Sequence, residues 1–185
     1  DSYLQGHPNM NSVPGVDMST GSLGQGISAA AGMAKGAKYL GKDINVYTLL
    51  GDGEIAEGEV WEAMLFAAHY HLDNFCMIVD LNGLQIDGRT CDVMNTAPVD
   101  EKAKAFGFHV VEINGHDFDE IERAFAEFHA CAHKPTCILM HTTKGKGVSF
   151  MENQAGWHGK APNDEEYKQA MGELNAAMAE LEAAK

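Results

Sequence analysis

Asp52 lies between Gly51 and Gly53, directly after an apolar run, and Asn82 follows 29 residues past Gly53, directly after a second apolar run. A Gly-Asp-Gly turn at the C-terminal end of a strand presents one carboxylate beside bare backbone that a phosphorylated ligand can approach. A second oxygen-bearing side chain at the end of the next strand would supply another corner of the same site. Asn82-Gly83-Leu84 could add a backbone carbonyl. Mg²⁺ suits this arrangement, because it takes few protein oxygens and completes its octahedron with phosphate and water. The spacing therefore points to a metal-diphosphate cradle.

The charge balance makes that cradle demanding. The chain carries 27 acidic and 13 basic residues, a formal net charge of −14. That excess argues against a nucleic-acid or anionic-membrane surface, both of which need clustered Lys and Arg. It also means that a bound diphosphate needs local compensation from a metal, histidines or helix N-termini. Cys76, Cys91, Cys131 and Cys137 form no C-x-x-C pair and lie mostly in apolar runs, as buried free thiols of a reducing compartment would. With no signal peptide and no apolar stretch of the ~18–20 residues a span requires, the expectation is a soluble, cytoplasmic protein.

The elements that must position Asp52 and Asn82 can be read from the hydrophobic pattern. Residues 1–20 are punctuated by Gly and Pro and read as irregular. Small residues across 22–40 predict a tightly packed helix, 45–50 (NVYTLL) a strand, and 54–70 a helix with a broad apolar side. Residues 75–81 (FCMIVDL) predict a second strand, followed by a turn at Asp87-Gly88, a loop to Pro98 and a short helix over 99–106. A third strand (108–113), a helix (118–132), a fourth strand (136–141) and an Ala-rich helix (165–182) complete the chain. Strands without in/out alternation, each followed by a helix, predict a doubly wound α/β fold: one parallel sheet with helices on both faces. Ligands of such folds sit beyond the strands' C-terminal ends, where Asp52, Asn82 and the 141–147 segment all fall. At 185 residues the expectation is a single domain over 1–185.

Read in order, GHPN…PGVDMSTGSLGQGIS, GDGEIAEGEVWEA, VDLNGLQIDG, NGHD and HTTKGKGVSFMENQAGWHG resemble the thiamine-diphosphate-binding domain of transketolases. The closing WHGKAPNDEEYKQAM is most similar to the N-terminal subunit of split, two-gene transketolases. The resemblance implies thiamine diphosphate and Mg²⁺ as cofactors, with the metal held by Asp52, Asn82 and the backbone carbonyl of Leu84. It implies that the diphosphate meets Gly51, Gly53 and the following helix N-terminus, that Gly21 and Leu23 approach the aminopyrimidine, and that Ile86 packs from the other side. His7 and His158 match histidines that face the cofactor and the sugar, with His158 also counted among the cofactor contacts. Glu57 matches a glutamate that links two active sites across a subunit interface, and Glu62 lies near that interface.

Each motif also has a plainer reading. Thr20 or Ser22 can simply cap a helix, Glu54 can complement a helix dipole, and an isolated Ile such as Ile86 is usually core. Lys144 and Lys146 read as solvated loop lysines and His116 as a loop-structuring residue. His69, His71, His109, His129, His133 and His141 read as surface or satisfied core. The resemblance further implies ketol transfer: a two-carbon unit passes from a ketose phosphate to an aldose phosphate. This chain would supply the diphosphate and metal half, and a C-terminal, pyrimidine-binding subunit the rest, in a heterotetramer or a homodimer-based assembly. An upstream helical segment of the family, with a further cofactor-site histidine, has no counterpart before GHPN. The alternatives are another thiamine-dependent enzyme, similar to a deoxyxylulose-phosphate synthase, and a non-catalytic cofactor-binding or assembly module.

Overall fold

Residues 75–79 are buried without interruption, which makes β2 (Phe75–Leu81) the centre of the structure. A strand covered on both faces must be apolar at successive positions, and FCMIV meets that condition. In the computed structural model, which describes residues 3–183, β2 lies in a four-stranded sheet with every pairing parallel. The other strands are β1 (Val46–Gly51), β5 (His109–Asn114) and β6 (Thr136–His141), in the order β1-β2-β6-β5. The expected 1–185 unit is thus described except for Asp1, Ser2, Ala184 and Lys185.

One face is covered by α1 (Gln25–Tyr39), α2 (Gly58–His69) and α4 (Val99–Ala105). Ile27, Ala30, Ala31, Ala34 and Ala37 form the buried stripe of α1 at helical spacing. Their small size lets α1 lie close against Ala63 and Ala67 of α2 within one core cluster. On the opposite face α5 (Phe118–Ala130) sets Ala124 and Phe128 against Cys76, Ile78, Val111, Ile113 and Ile138. The doubly wound parallel sheet is as expected.

The departures have local causes. The edge strands do alternate: Leu49 of β1 is 68% exposed, because α5, the helix that packs on that face among the described residues, reaches β1 through Phe125 and Phe128, which meet Tyr47 edge-on. The helix expected over 54–70 is broken. A single 3₁₀ turn (Glu54–Ala56) is followed by Glu57 in extended conformation, and α2 then starts at Gly58. The helix expected from 22 starts at Gln25, after Gly24 in left-handed conformation, and neither Thr20 nor Ser22 caps it. The Asp87-Gly88 turn closes a small hairpin of β3 (Leu84–Gln85) and β4 (Gly88–Arg89), which leads into the four-residue α3 (Thr90–Val93). Along α6 (Asp164–Ala183) only Ala170 is buried; Tyr167, Met171, Leu174, Met178 and Leu181 form an exposed stripe. Among the described residues no helix is long and apolar enough to cross a membrane.

Candidate functional site

β1 and β2 run parallel with Gly51 opposite Asp80, so the residues just past each strand emerge side by side. Asp52 follows β1 and is only 4% exposed. Its Oδ2 accepts a 2.5 Å hydrogen bond from the Gly83 N–H, while its Oδ1 is buried without a partner. Asn82 follows β2, and its Oδ1 accepts from the Leu84 N–H at 2.9 Å. Its Nδ2 donates to Asp80 Oδ2 at 2.9 Å. The amide orientation follows from this chemistry, since reversing it would set oxygen against carboxylate and NH₂ against N–H.

The electrostatics of this corner are unbalanced. Burial raises the Asp52 carboxyl above its ordinary value; the Gly83 and Gly53 amides oppose the rise, and the nearby Asp80 adds to it. None of the ion pairs among the described residues includes Asp52 or Asp80. An orphaned carboxylate oxygen in a buried acidic corner is costly unless a cation joins it. Three His, Cys, Asp or Glu side chains do not gather anywhere among the described residues. A cation here would therefore rely on Asp52, the Asn82 amide, a main-chain carbonyl and oxygens brought by its ligand, the donor set of a hard ion. The residues present fit Mg²⁺.

At the turn Gly51 faces open space, with nothing within 4 Å of where its Cβ would stand, whereas Gly53 is packed against Gln85, whose Oε1 would lie 2.6 Å from a Cβ there. Glu54 does more than complement a dipole. Its Oε1 accepts from the Gly24 N–H at 2.9 Å and its Oε2 from the Gly51 N–H at 3.1 Å, stapling the Gly-rich loop to the Gly-Asp-Gly turn. Gly24 must be glycine there: its φ is 78° and a Cβ would lie 2.8 Å from Glu57 Cβ. Neither α1 nor α2, whose N-termini adjoin this turn, has a side-chain cap, whereas Asp117 caps α5 through the Asp119 and Glu120 N–H groups. Free N–H groups at a helix start favour an anion. A cleft of about 340 Å³ is lined by Asp52 and Gly83 together with Thr90, Cys91 and His141.

Some expected residues gather and others do not. His7, from the irregular N-terminal stretch, packs over Gly21, its ring 3.1 Å from where a Cβ would stand. Leu23 and Ile86 are 61% and 65% exposed, so Ile86 is not core but stands at the tip of the β3–β4 hairpin. Glu57 and Glu62 are exposed, with Glu57 at the N-terminus of α2. His158 is exposed on the turn after Ala155–Trp157, and among the described residues no hydrogen bond or ion pair ties its ring to the cradle. Lys146 pairs with Glu152 at 3.9 Å, away from the turn. The other six histidines lie exposed or half-buried. His116 does structure its loop: its Nε2 accepts from the Thr143 N–H at 2.8 Å. Of the cysteines, Cys76 and Cys137 are buried free thiols as expected, burial pushing Cys76 up to about 12 and raising Cys137 further. Cys91, by contrast, is exposed and Cys131 half-buried.

The model of the transketolase, thiamine diphosphate binding domain matches residues 1–180. The chain belongs to this transketolase family. It is 42% identical to one subunit of the apulose-4-phosphate transketolase of Phocaeicola vulgatus over 181 residues, which are 98% of this chain and 64% of that protein. It is 43% identical to the 6-deoxy-6-sulfo-D-fructose transketolase subunit SqwG of a Clostridium species, over 92% of this chain and 62% of that protein. The chain thus spans less than two thirds of these curated relatives. The crystal structure of a transketolase from Campylobacter jejuni superposes with a TM-score of 0.83 at 35% identity, covering 92% of this chain and 28% of that one. Membership of a thiamine-diphosphate-binding family agrees with the cofactor expected from the motifs. The Glu54 staple was hidden in the sequence because its two oxygens serve N–H groups 3 and 30 residues away.

Proposed function

We propose that this chain is the N-terminal subunit of a split transketolase, holding the diphosphate of thiamine diphosphate and Mg²⁺ while a partner subunit encloses the rest of the cofactor. The observation that carries the reading is the buried, unpartnered Oδ1 of Asp52, whose other oxygen accepts from the Gly83 N–H between Asn82 and Leu84. When bound, thiamine diphosphate would supply the electron sink for passing a two-carbon ketol unit from a ketose phosphate to an aldose phosphate.

The chain's own residues bind and orient. Asp52, Asn82 and the Leu84 carbonyl would hold Mg²⁺, and the Gly51–Gly53 turn with the uncapped start of α2 would take the phosphates. Gly21, Leu23 and Ile86 would line the approach of the rings, the two exposed apolar side chains excluding water once a partner closes over them. His7, seated on Gly21, would donate to the diphosphate or the sugar, and His158 would reach the sugar from its exposed turn. Glu57 would meet the partner across the interface. A C-terminal, pyrimidine-binding transketolase subunit is the partner this arrangement needs, in a heterotetramer or a homodimer-based assembly. We assign the activity to the cytoplasm and to pentose phosphate chemistry, on family membership and the buried free thiols.

Co-expression with the candidate partner subunit, followed by a ketol-transfer assay, tests this. Wild type is expected to be active only in the complex, and Asp52→Ala to lose Mg²⁺-dependent activity. Full activity of the isolated chain, or an unaffected Asp52→Ala complex, would overturn the proposal.

A further inference from the structure

Asn82 is not free to turn, and the contacts that hold it lead away from the cradle. Its Nδ2 is taken by Asp80 Oδ2, and the other oxygen of that carboxylate, Oδ1, accepts from the Thr142 hydroxyl. Thr142 stands just past β6, where its N–H donates to the Leu81 carbonyl at 3.3 Å and prolongs the β2–β6 pairing by one step.

Thr142 is in turn fixed by the Asn114-Gly115-His116-Asp117 segment. The Gly115 N–H donates to the His141 carbonyl at 2.9 Å, and a Cβ on Gly115 would lie 2.5 Å from Thr142 Cγ2. Only glycine permits that approach. His116 Nε2 accepts from the Thr143 N–H, and Asn114 Oδ1 shapes the turn by accepting from the His116 N–H at 3.0 Å. Asp117 then caps α5. Every residue of the segment is thus committed to holding the 142–143 step or to starting the next helix.

We propose that Thr142 and Asp80 are positioning residues for Asn82: they aim its amide oxygen at the cation, and the Asn114–Asp117 segment sets Thr142 for that purpose. This rests on reading the cradle as an Mg²⁺ site. A fold that needed only to join β2 and β6 would gain nothing from setting the Asp80 carboxylate beside the Asp52 carboxylate without a basic partner. The arrangement is useful when a dication sits between Asp52 and Asn82, because the Asp80 charge then orients a ligand and adds to the cation's attraction.

The test uses the full chain in its native assembly. Mg²⁺ is titrated calorimetrically at saturating thiamine diphosphate for wild type, Thr142→Val, Thr142→Ser and Asp80→Asn, and each protein's unfolding midpoint is measured in EDTA. Thr142→Val keeps the shape and removes the hydroxyl, and it is expected to raise the Mg²⁺ dissociation constant about tenfold or more. Its midpoint in EDTA is expected to fall somewhat with the lost charge-assisted hydrogen bond, so Mg²⁺ is titrated where every variant is fully folded, and there a merely structural role would leave the dissociation constant at the wild-type value. Thr142→Ser should restore affinity, and Asp80→Asn should lose it as Thr142→Val does. Wild-type Mg²⁺ affinity in Thr142→Val overturns the relay and leaves the cradle standing. Failure of the wild-type assembly to bind Mg²⁺ overturns the cradle and the relay with it.

Discussion

At the scale of single residues, the Asp52 carboxylate serves binding at the expense of folding. Its folded pKa is raised, so the fold disfavours the charge: the cost is complete above the folded value and vanishes below the ordinary carboxylate range. At neutral pH Asp52→Asn is therefore expected to raise the unfolding midpoint of the metal-free chain while abolishing any stabilisation by Mg²⁺ with thiamine diphosphate. Thermal melts with and without both ligands check the two opposite signs, and a lowered metal-free midpoint would contradict the account. Glu54 shows the reverse economy, since one carboxylate satisfies the Gly24 and Gly51 amides together. Losing two charge-assisted hydrogen bonds should make Glu54→Ala less stable by about 2–4 kcal/mol, measured by urea unfolding. The cofactor's apparent affinity should fall in the same variant. Asp52 and Asn82 were legible in the sequence because each ends an apolar run. Glu54's role was not, since it depends on Gly24 being folded back across 30 residues.

Among the elements, the strands were the most legible, because a buried parallel strand has to be apolar along its whole length. Residues 75–81 and 136–141 agree with β2 and β6 at both ends. Helix starts were harder, since they turn on single backbone conformations: Gly24 left-handed before α1, Glu57 extended before α2. The α1 C-terminus is fastened by a contact of similar kind. Burial would raise the Asp73 carboxyl, but the Lys38 ammonium and the His133 N–H outweigh it and hold Asp73 below its ordinary range. A depressed carboxylate stabilises above its unfolded pKa and loses that contribution as pH falls through the folded value. As pH falls below the ordinary carboxylate range wild type should therefore lose more stability than Asp73→Asn, which acid titration of the unfolding midpoint will show. Equal losses would remove this ion pair from the account.

For the whole molecule, the proposed function leaves one end of the sheet to be completed by a partner. Leu23 and Ile86 are exposed apolar side chains beside the cradle, in a chain of net charge −14. A partner that closes over the cofactor would cover both. Leu23→Asp is expected to weaken assembly with that partner by about tenfold or more, read by sedimentation, because a buried interfacial carboxylate without a counter-charge is strongly unfavourable. Its effect on the fold of the isolated chain should be slight, since the side chain is already in water. Unchanged assembly would place the interface elsewhere.

The uncapped starts of α1 and α2 carry the last consequence. A helix start without a side-chain cap frays more readily than a capped one, and a ligand that accepts from its amides withdraws the frayed states from the ensemble. Proteases and quality-control machinery act on such opened states. Residues 21–27 and 53–60 would then be the places where the empty chain is first cut and where amide exchange slows first on loading. On the proposed function, the supply of cofactor would then set how long each copy of this chain lasts.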